Sequence, residues 1–423
     1  MKRNITKLFI LLSLISFVSC GNNLPSSESG SNSENINSTE YEVIDRSVSN
    51  VVTKDKVKVQ PFNTIVTLRT FCQKDFNDIY PTFNTEMQRL HMLFDRYNDF
   101  VDSEGNEVIN LKSINESYGK GEKLVVDQDL IDLLKLSIEL SELTEGYFNP
   151  TMGELIDTWN YRIEDGEKYT RYSPYCFEDV DPKQEDVINS KNKIIPCSEL
   201  ASYIVIDDEE NSVEFKKYQN LDKVTLSLGA IAKGFAVEKV KAYVSTFDVP
   251  AMIDGGSSSS YAIKNNPNPN RNYWLVGIAS PYKALGSVKA IATIKIEGTY
   301  TLSVSGDYES CFKNENGIIR HHILNPYSGY PENNYRVVSV KSSARSDVLD
   351  GLSTALFSIS SLDKINEIVN NVENKYGIEI AVLLEKEVDQ TNKKVDVYVD
   401  ETYNKMIYEM NYTYCNEKVL IEG

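Results

Sequence analysis

The chain is poor in histidine, with three in 423 residues, and it has no excess of positive charge: 62 acidic residues stand against 44 basic ones, a formal charge of −18. So few histidines limit what a metal centre could be built from. The acidic balance argues against nonspecific nucleic-acid binding, which needs Lys/Arg patches against phosphate, and no basic run occurs outside the extreme N-terminus. There is no P-loop, no G-x-G-x-x-G and no short-period repeat, which removes the commonest nucleotide-binding signatures and the solenoid architectures. The single long apolar run, Leu8 to Val18, is too short for a comfortable transmembrane span.

That run follows Lys2, Arg3 and Lys7 and reaches Cys20 through Ser19, the order of a secretory signal. A small residue before Cys20 and Gly21 after it resemble a bacterial lipobox, which implies a signal peptide over 1–19, cleavage before Cys20 and lipid on its thiol. An uncleaved anchor is the other reading; both put the folded part outside the cytoplasm at a membrane surface. Residues 20–58 begin Ser/Asn/Glu-rich with little to bury, and read as a flexible tether. Beyond Cys20 five cysteines remain, so at least one is unpaired within the chain. Cys176 and Cys197 flank a polar stretch and could close a loop; scattered free thiols are the alternative.

The folded part is expected over 59–423. "NTIVTLRTF" alternates as a strand, and "DFNDIYPTFNTEMQRLHMLFDRY" and "DQDLIDLLKLSIELSELTEG" are helical, the latter capped by Asp127 or Asp129. His91 sits inside the first helix as a structural residue. "ASYIVIDDEENSVEFKK" reads as a hairpin, and residues 164–193 as a charged surface insertion. Strands in runs with a few helices between them make the fold class α+β.

Three stretches carry chemistry. "TLSLGAIAKGFAVEKV" is a strand (Val224 to Leu228), a glycine turn and a helix start, where free N–H groups, the helix dipole and Lys233 would favour an anion. "DGGSSSS" is a second glycine turn that could bring backbone close to a ligand. In "SDVLDGLSTALF", Asp350, Ser353 and Thr354 share one helix face, a hard oxygen set suited to Mg²⁺. The paired histidines of "GIIRHHIL" lie in a strand, so they face opposite sides; only one can enter a given cleft, and they cannot form a two-His metal site together.

Taken in order, "LFDRYND", "LTEGYFNPTMGELIDTW", "LSLGAIAKGFAVE", "SGDYESCF", "GIIRHHILNPYSGYP" and "SARSDVLDGLSTALF" resemble the ApbE family of FAD:protein FMN transferases, over roughly Phe62 to Glu385. The resemblance implies an α+β fold of two similar halves, with mixed or antiparallel sheets and the active-site cleft between them. It implies a Mg²⁺-dependent enzyme that cleaves FAD, moves FMN to a Thr hydroxyl of a target flavoprotein and releases AMP. By position, metal ligands fall on Ala230 (through its carbonyl), Asp350 and Thr354, with Ser353 alongside. FAD contacts fall on Phe62, Tyr97, Tyr147, Phe148, Asn149, Ser227, Lys233 and His322. His322 is the expected proton acceptor and Asp350 the essential carboxylate; His321 is expected to be replaceable. Ser227, Asn149 and Asn325 stand where the family usually has Asp, and Glu238 replaces another Asp. An FAD pyrophosphatase and a flavin-storing lipoprotein are the competing functions.

Overall fold

The computed structural model describes residues 42–173, 176–256, 259–282 and 290–421. The lipobox, Cys20 and the first part of the tether lie outside them. Nine strands form the main sheet: β1 (Ile44–Ser47), β2 (Val66–Thr70), β3 (Ala251–Gly255), β4 (Ser259–Ile263), β5 (Tyr300–Gly306), β6 (Val337–Ser342), β7 (Ala381–Asp389), β8 (Lys394–Val399) and β9 (Cys415–Leu420). Their order across the sheet is their order in the chain. Every neighbouring pair is antiparallel except β8 and β9.

The tether was expected to run to residue 58, but pairing starts earlier. β1 is the edge strand beside β2, Val48 is buried and donates its N–H to Val66 O at 2.8 Å, and Val51–Val52 pairs with Lys58–Val59. A few apolar side chains among the polar ones are enough, because an edge strand needs only one partner.

Six helices matter for the site: α1 (Gln73–Phe94), α2 (Gln128–Leu143), α3 (Gly153–Asn160), α4 (Ala232–Ser245), α5 (Ser346–Phe357) and α6 (Leu362–Tyr376). Asp127 caps α2, accepting from the Asp129 N–H at 2.8 Å, as its sequence predicts. α4 lies on β3 and β4, α5 lies on β5 and β6, and the two helices pack against each other. The α+β reading holds, and each half of the sheet carries its own helix. On the far face, the Glu401–Met406 helix links β7 to a small sheet of Trp274–Ala279, Ala290–Ile296 and Ile407–Met410.

Every residue of α5 is buried except half-buried Thr354. A helix enclosed on all sides normally has an apolar surface; α5 instead carries Asp350 and Ser353 inward, which must therefore find partners. They do so where α4 crosses it. Gly234 donates its N–H to Asp350 Oδ2 at 2.8 Å. The contact requires glycine: a Cβ there would lie 2.2 Å from Ser346 O and 2.5 Å from Asp350 Cβ. Glu238, one turn on, accepts from Ser346 N–H and Oγ at 2.9 and 2.8 Å and so caps α5 from outside. The Asp-to-Glu replacement gives the carboxylate the reach for that cap.

Gly234→Ala should separate α4 from α5. Overpacking of this kind costs about 1–3 kcal/mol, more where backbone is struck. Thermal unfolding of the purified variant should show a clearly lower midpoint; an unchanged midpoint would mean the crossing is looser than described.

Candidate active site

A cleft of about 550 Å³ opens at the ends of α4 and α5, within the usual size of ligand sites. Every residue expected in the site lines it except Ser353. Ser353 stands behind the wall, fully buried, with its hydroxyl 2.8 Å from Ser305 Oγ and 3.2 Å from Ser303 Oγ.

Asp350 is the centre of an oxygen-rich floor. Oδ1 accepts from Ser259 Oγ at 3.1 Å and Ser303 Oγ at 3.4 Å, while Oδ2 takes the Gly234 N–H. Thr354 Oγ1 donates to Asp350 O at 3.3 Å and lies 3.4 Å from Ser305 Oγ. The "DGGSSSS" stretch thus contributes a hydroxyl, Ser259, where a backbone approach was expected. Among the described residues no group of three His, Cys, Asp or Glu converges for a metal. A cation here would have one carboxylate and neutral oxygens, the set of a hard, partly hydrated ion whose remaining places a phosphate ligand can fill.

The wall above Asp350 differs from expectation. Val224 to Leu228 is extended but joins no sheet. The Asn115 side chain takes the place of a strand partner, donating to Leu226 O at 3.1 Å and accepting its N–H at 2.7 Å, and Ser227 N–H bonds Pro150 O. The N–H groups expected to be free at the helix start are largely engaged: those of Ile231 and Ala232 bond Leu228 O, and that of Gly234 bonds Asp350. What remains for an anion is the α4 dipole and Lys233, whose ammonium makes a long bond, 3.4 Å, to Gly229 O.

The aromatic side is built by strain and by pairing. Phe62 has φ +54 and Asn63 φ +52, a conformation that costs a non-glycine residue of order 1 kcal/mol or more. His91 Nδ1 accepts the Phe62 N–H at 3.3 Å, and its ring meets Phe62 edge-on. His91 is structural, as expected, and what it holds is a cleft residue. Arg96, absent from the expected set, stacks on Tyr97 with 4.3 Å to the ring centroid and pairs with Asp157 at 2.7 Å. Desolvation raises the Tyr97 phenol above its usual range, so it stays a neutral donor. Tyr147 meets Tyr327 edge-on at 5.0 Å.

Asn149 lines the cleft, yet its amide is committed. Nδ2 donates to Ile195 O at 2.8 Å, and Oδ1 accepts from Thr151 N–H and Oγ1. A carboxylate could not make the first bond, which explains Asn at this position. Asn325 likewise accepts from Tyr327 N–H at 2.8 Å and donates toward Glu332, closing the "NPYSG" turn.

The histidine pair divides, though not within one strand: the strand Ile319–His321 stops at His321 and His322 lies just beyond it. His322 lines the cleft with its side chain open to solvent; desolvation by the surrounding atoms lowers its pKa below the usual 6.5, with Ser310 O opposing and Lys233 adding to the shift. Nδ1 faces Ser310 O at 3.4 Å. A carbonyl only accepts, so Nδ1 carries the proton and Nε2 keeps its lone pair. His321, expected to be replaceable, is instead built into the packing. It is fully buried, with Nε2 3.0 Å from Glu332 O, Nδ1 accepting the Ile323 N–H, and its ring edge-on to Phe357; burial pushes it down to about 3.

Residues 164–193 present an exposed strand but also reach the cleft. Thr170 and Tyr172 line it beside Tyr161, and Cys176 forms a disulfide with Cys311. Cys197, one candidate partner in the sequence, is a free thiol. Neither the apolar pattern nor the cysteine spacing marks this wall.

With this geometry, comparison with known proteins is decisive. The ApbE family model matches residues 62–380. The chain belongs to the ApbE family. Two FAD:protein FMN transferases are similar in sequence: that of Vibrio cholerae is 27% identical over 278 residues, 65% of this chain and 72% of that protein, and that of Treponema pallidum is 27% identical over 254 residues, 58% and 64% respectively. In structure, the ApbE protein of Thermotoga maritima superposes with a TM-score of 0.61 at 23% identity, covering 84% of this chain and 99% of that one. The Vibrio cholerae flavin transferase ApbE gives 0.60 at 19%, covering 86% and 99%.

Asn149→Asp should leave the Ile195 carbonyl facing a carboxylate. Losing a buried hydrogen bond while stranding its acceptor costs about 1–3 kcal/mol, so the thermal midpoint should fall; equal stability would mean the amide is not the reason for Asn.

Proposed function

We propose that this transferase of the ApbE family is a Mg²⁺-dependent FAD:protein FMN transferase that moves FMN from FAD to a Thr hydroxyl of a flavoprotein and releases AMP. The observation that carries the reading is the meeting, in one cleft, of the buried Asp350 floor, Lys233, the neutral His322 and an aromatic side of Phe62, Tyr97, Tyr147 and Phe148. It is supported further by the relatives, which are FAD:protein FMN transferases.

The reaction breaks a pyrophosphate, so it needs positive charge at the phosphates and a base at the acceptor. Asp350, Thr354 and the Ala230 carbonyl would hold Mg²⁺, with Ser303, Ser305 and Ser353 fixing the carboxylate and hydroxyl behind them. Bound there, the ion would neutralise charge on the leaving phosphate and orient the phosphorus. Lys233 adds charge on the other side of the pyrophosphate. The aromatic residues offer apolar faces to the flavin and adenine rings. His322 Nε2 takes the proton of the Thr hydroxyl as the oxygen attacks. Its lowered pKa suits this role, because the ring is already neutral at neutral pH. An extracytoplasmic site on a lipid anchor at Cys20 completes the reading, supported by the signal-like N-terminus and by a disulfide, which such compartments favour.

The test is to incubate the soluble domain with FAD, Mg²⁺ and a candidate acceptor flavoprotein. Flavin fluorescence on the denatured acceptor is expected. Free FMN and AMP with no labelled protein would make the enzyme a pyrophosphatase, and unchanged FAD a binder; either result contradicts the proposal. The rate should rise with pH as His322 loses its proton and level off below pH 6.5, the ordinary value from which it is lowered. His322→Ala should slow transfer by about 10²-fold or more at saturating FAD and remove that acid limb.

A further inference from the structure

The segment 161–181 leaves α3 as a hairpin, Tyr161–Glu164 against Glu167–Thr170, and then runs along a second hairpin, Cys311–Lys313 with Ile319–His321. Ser173 and Cys311 exchange backbone bonds of 3.0 and 3.1 Å. Lys313 N–H bonds Phe177 O at 3.0 Å, and Asp179 N–H bonds Lys313 O at 2.9 Å. Arg320 holds Asp181 through Nε and Nη2, and Tyr172 donates to His321 O at 2.9 Å. The disulfide joins the two across 135 residues of chain.

This wall has little core of its own. Ile163, Phe177 and Val180 are 74%, 66% and 55% exposed, so hydrophobic burial does not hold it in place. Tyr172 is its main apolar anchor, tilted against Phe312 at 5.6 Å. A segment with so few buried contacts would ordinarily sample many positions, and the covalent bond removes most of them. We propose that the Cys176–Cys311 disulfide is a positioning clamp: it holds residues 161–173 and 176–181 as a side wall of the cleft and so sets the affinity for FAD. The proposal rests on the flavin reading of the cleft.

The clamp should act on binding and leave the chemical step alone. The His321 ring beside His322 is fixed by Glu332 O and Phe357, which lie outside the wall, although the Tyr172 hydroxyl also bonds the His321 carbonyl. Asp350 and Lys233 lie on α5 and α4. If the wall is docked only a fraction of the time once released, apparent affinity falls by that fraction.

The experiment is a fluorescence titration of FAD into the oxidised protein, the dithiol-reduced protein and Cys176→Ser. The dithiol supplies two electrons and two protons, leaving thiols at Cys176 and Cys311 and a disulfide in the reductant. Cys72, Cys197 and Cys415 are thiols already and do not change. Alkylation and mass measurement verify the reduction, and far-UV circular dichroism verifies the fold. The expected result is about tenfold weaker FAD binding in both altered forms, with kcat at saturating FAD within about threefold of the oxidised enzyme. Equal affinity in folded, reduced protein would overturn the clamp, and so would a fall in kcat with affinity unchanged. FAD failing to bind in any form would sink the flavin reading along with it. Because the titration needs no acceptor protein, redox-dependent FAD binding without protein labelling would count against the transferase reaction alone.

Discussion

The hydrogen bond from the Gly234 N–H to Asp350 is the contact on which the site depends. A carboxylate on a helix enclosed on all sides would normally be a liability, since burial of an unpaired charge is costly. Here the backbone of α4 supplies one donor, and Ser259 and Ser303 supply two more from neighbouring strands. Close approach of the two helices is possible only because Gly234 has no side chain. The same crossing brings Lys233 and Thr354 to one cleft, so helix packing and site assembly are one event.

Around that crossing the cleft is made from parts of different character. The floor is polar and rigid, formed by β5 and α5. The aromatic side depends on local strain at Phe62 and Asn63, held by a histidine inside α1. Strained backbone persists only where surrounding structure enforces it, and His91 is that enforcement. The remaining wall is a loosely packed segment tied on by a disulfide, a salt bridge and a few backbone bonds.

Much of this was legible in the residues. Asp350 and Thr354 at i and i+4 must share a helix face, and only one of His321 and His322 reaches the cleft. What was not legible depended on contacts distant in sequence. Nothing in Val224 to Leu228 says that Asn115 will replace a strand partner. His321 looks interchangeable until Phe357 and Glu332 are seen around it. Asn149 and Asn325 read as weakened ligands until Ile195 and Tyr327 reveal structural bonds to their amides. The segment 164–193 lacks apolar periodicity because it is fastened by covalent, ionic and backbone contacts, which leave no periodic trace. Cys176 could be matched with Cys311 only in three dimensions.

The central claim is that the α4–α5 crossing builds an oxygen site for a divalent cation beneath the FAD pyrophosphate. The most direct measurement is a crystal structure of the protein with FAD and Mn²⁺, reading the anomalous signal of the metal. The account predicts a peak bound by the Asp350 carboxylate, Thr354 Oγ1 and the Ala230 carbonyl, with the pyrophosphate against it and Lys233. A metal peak elsewhere in the cleft, or ordered FAD with no metal near Asp350, would contradict it.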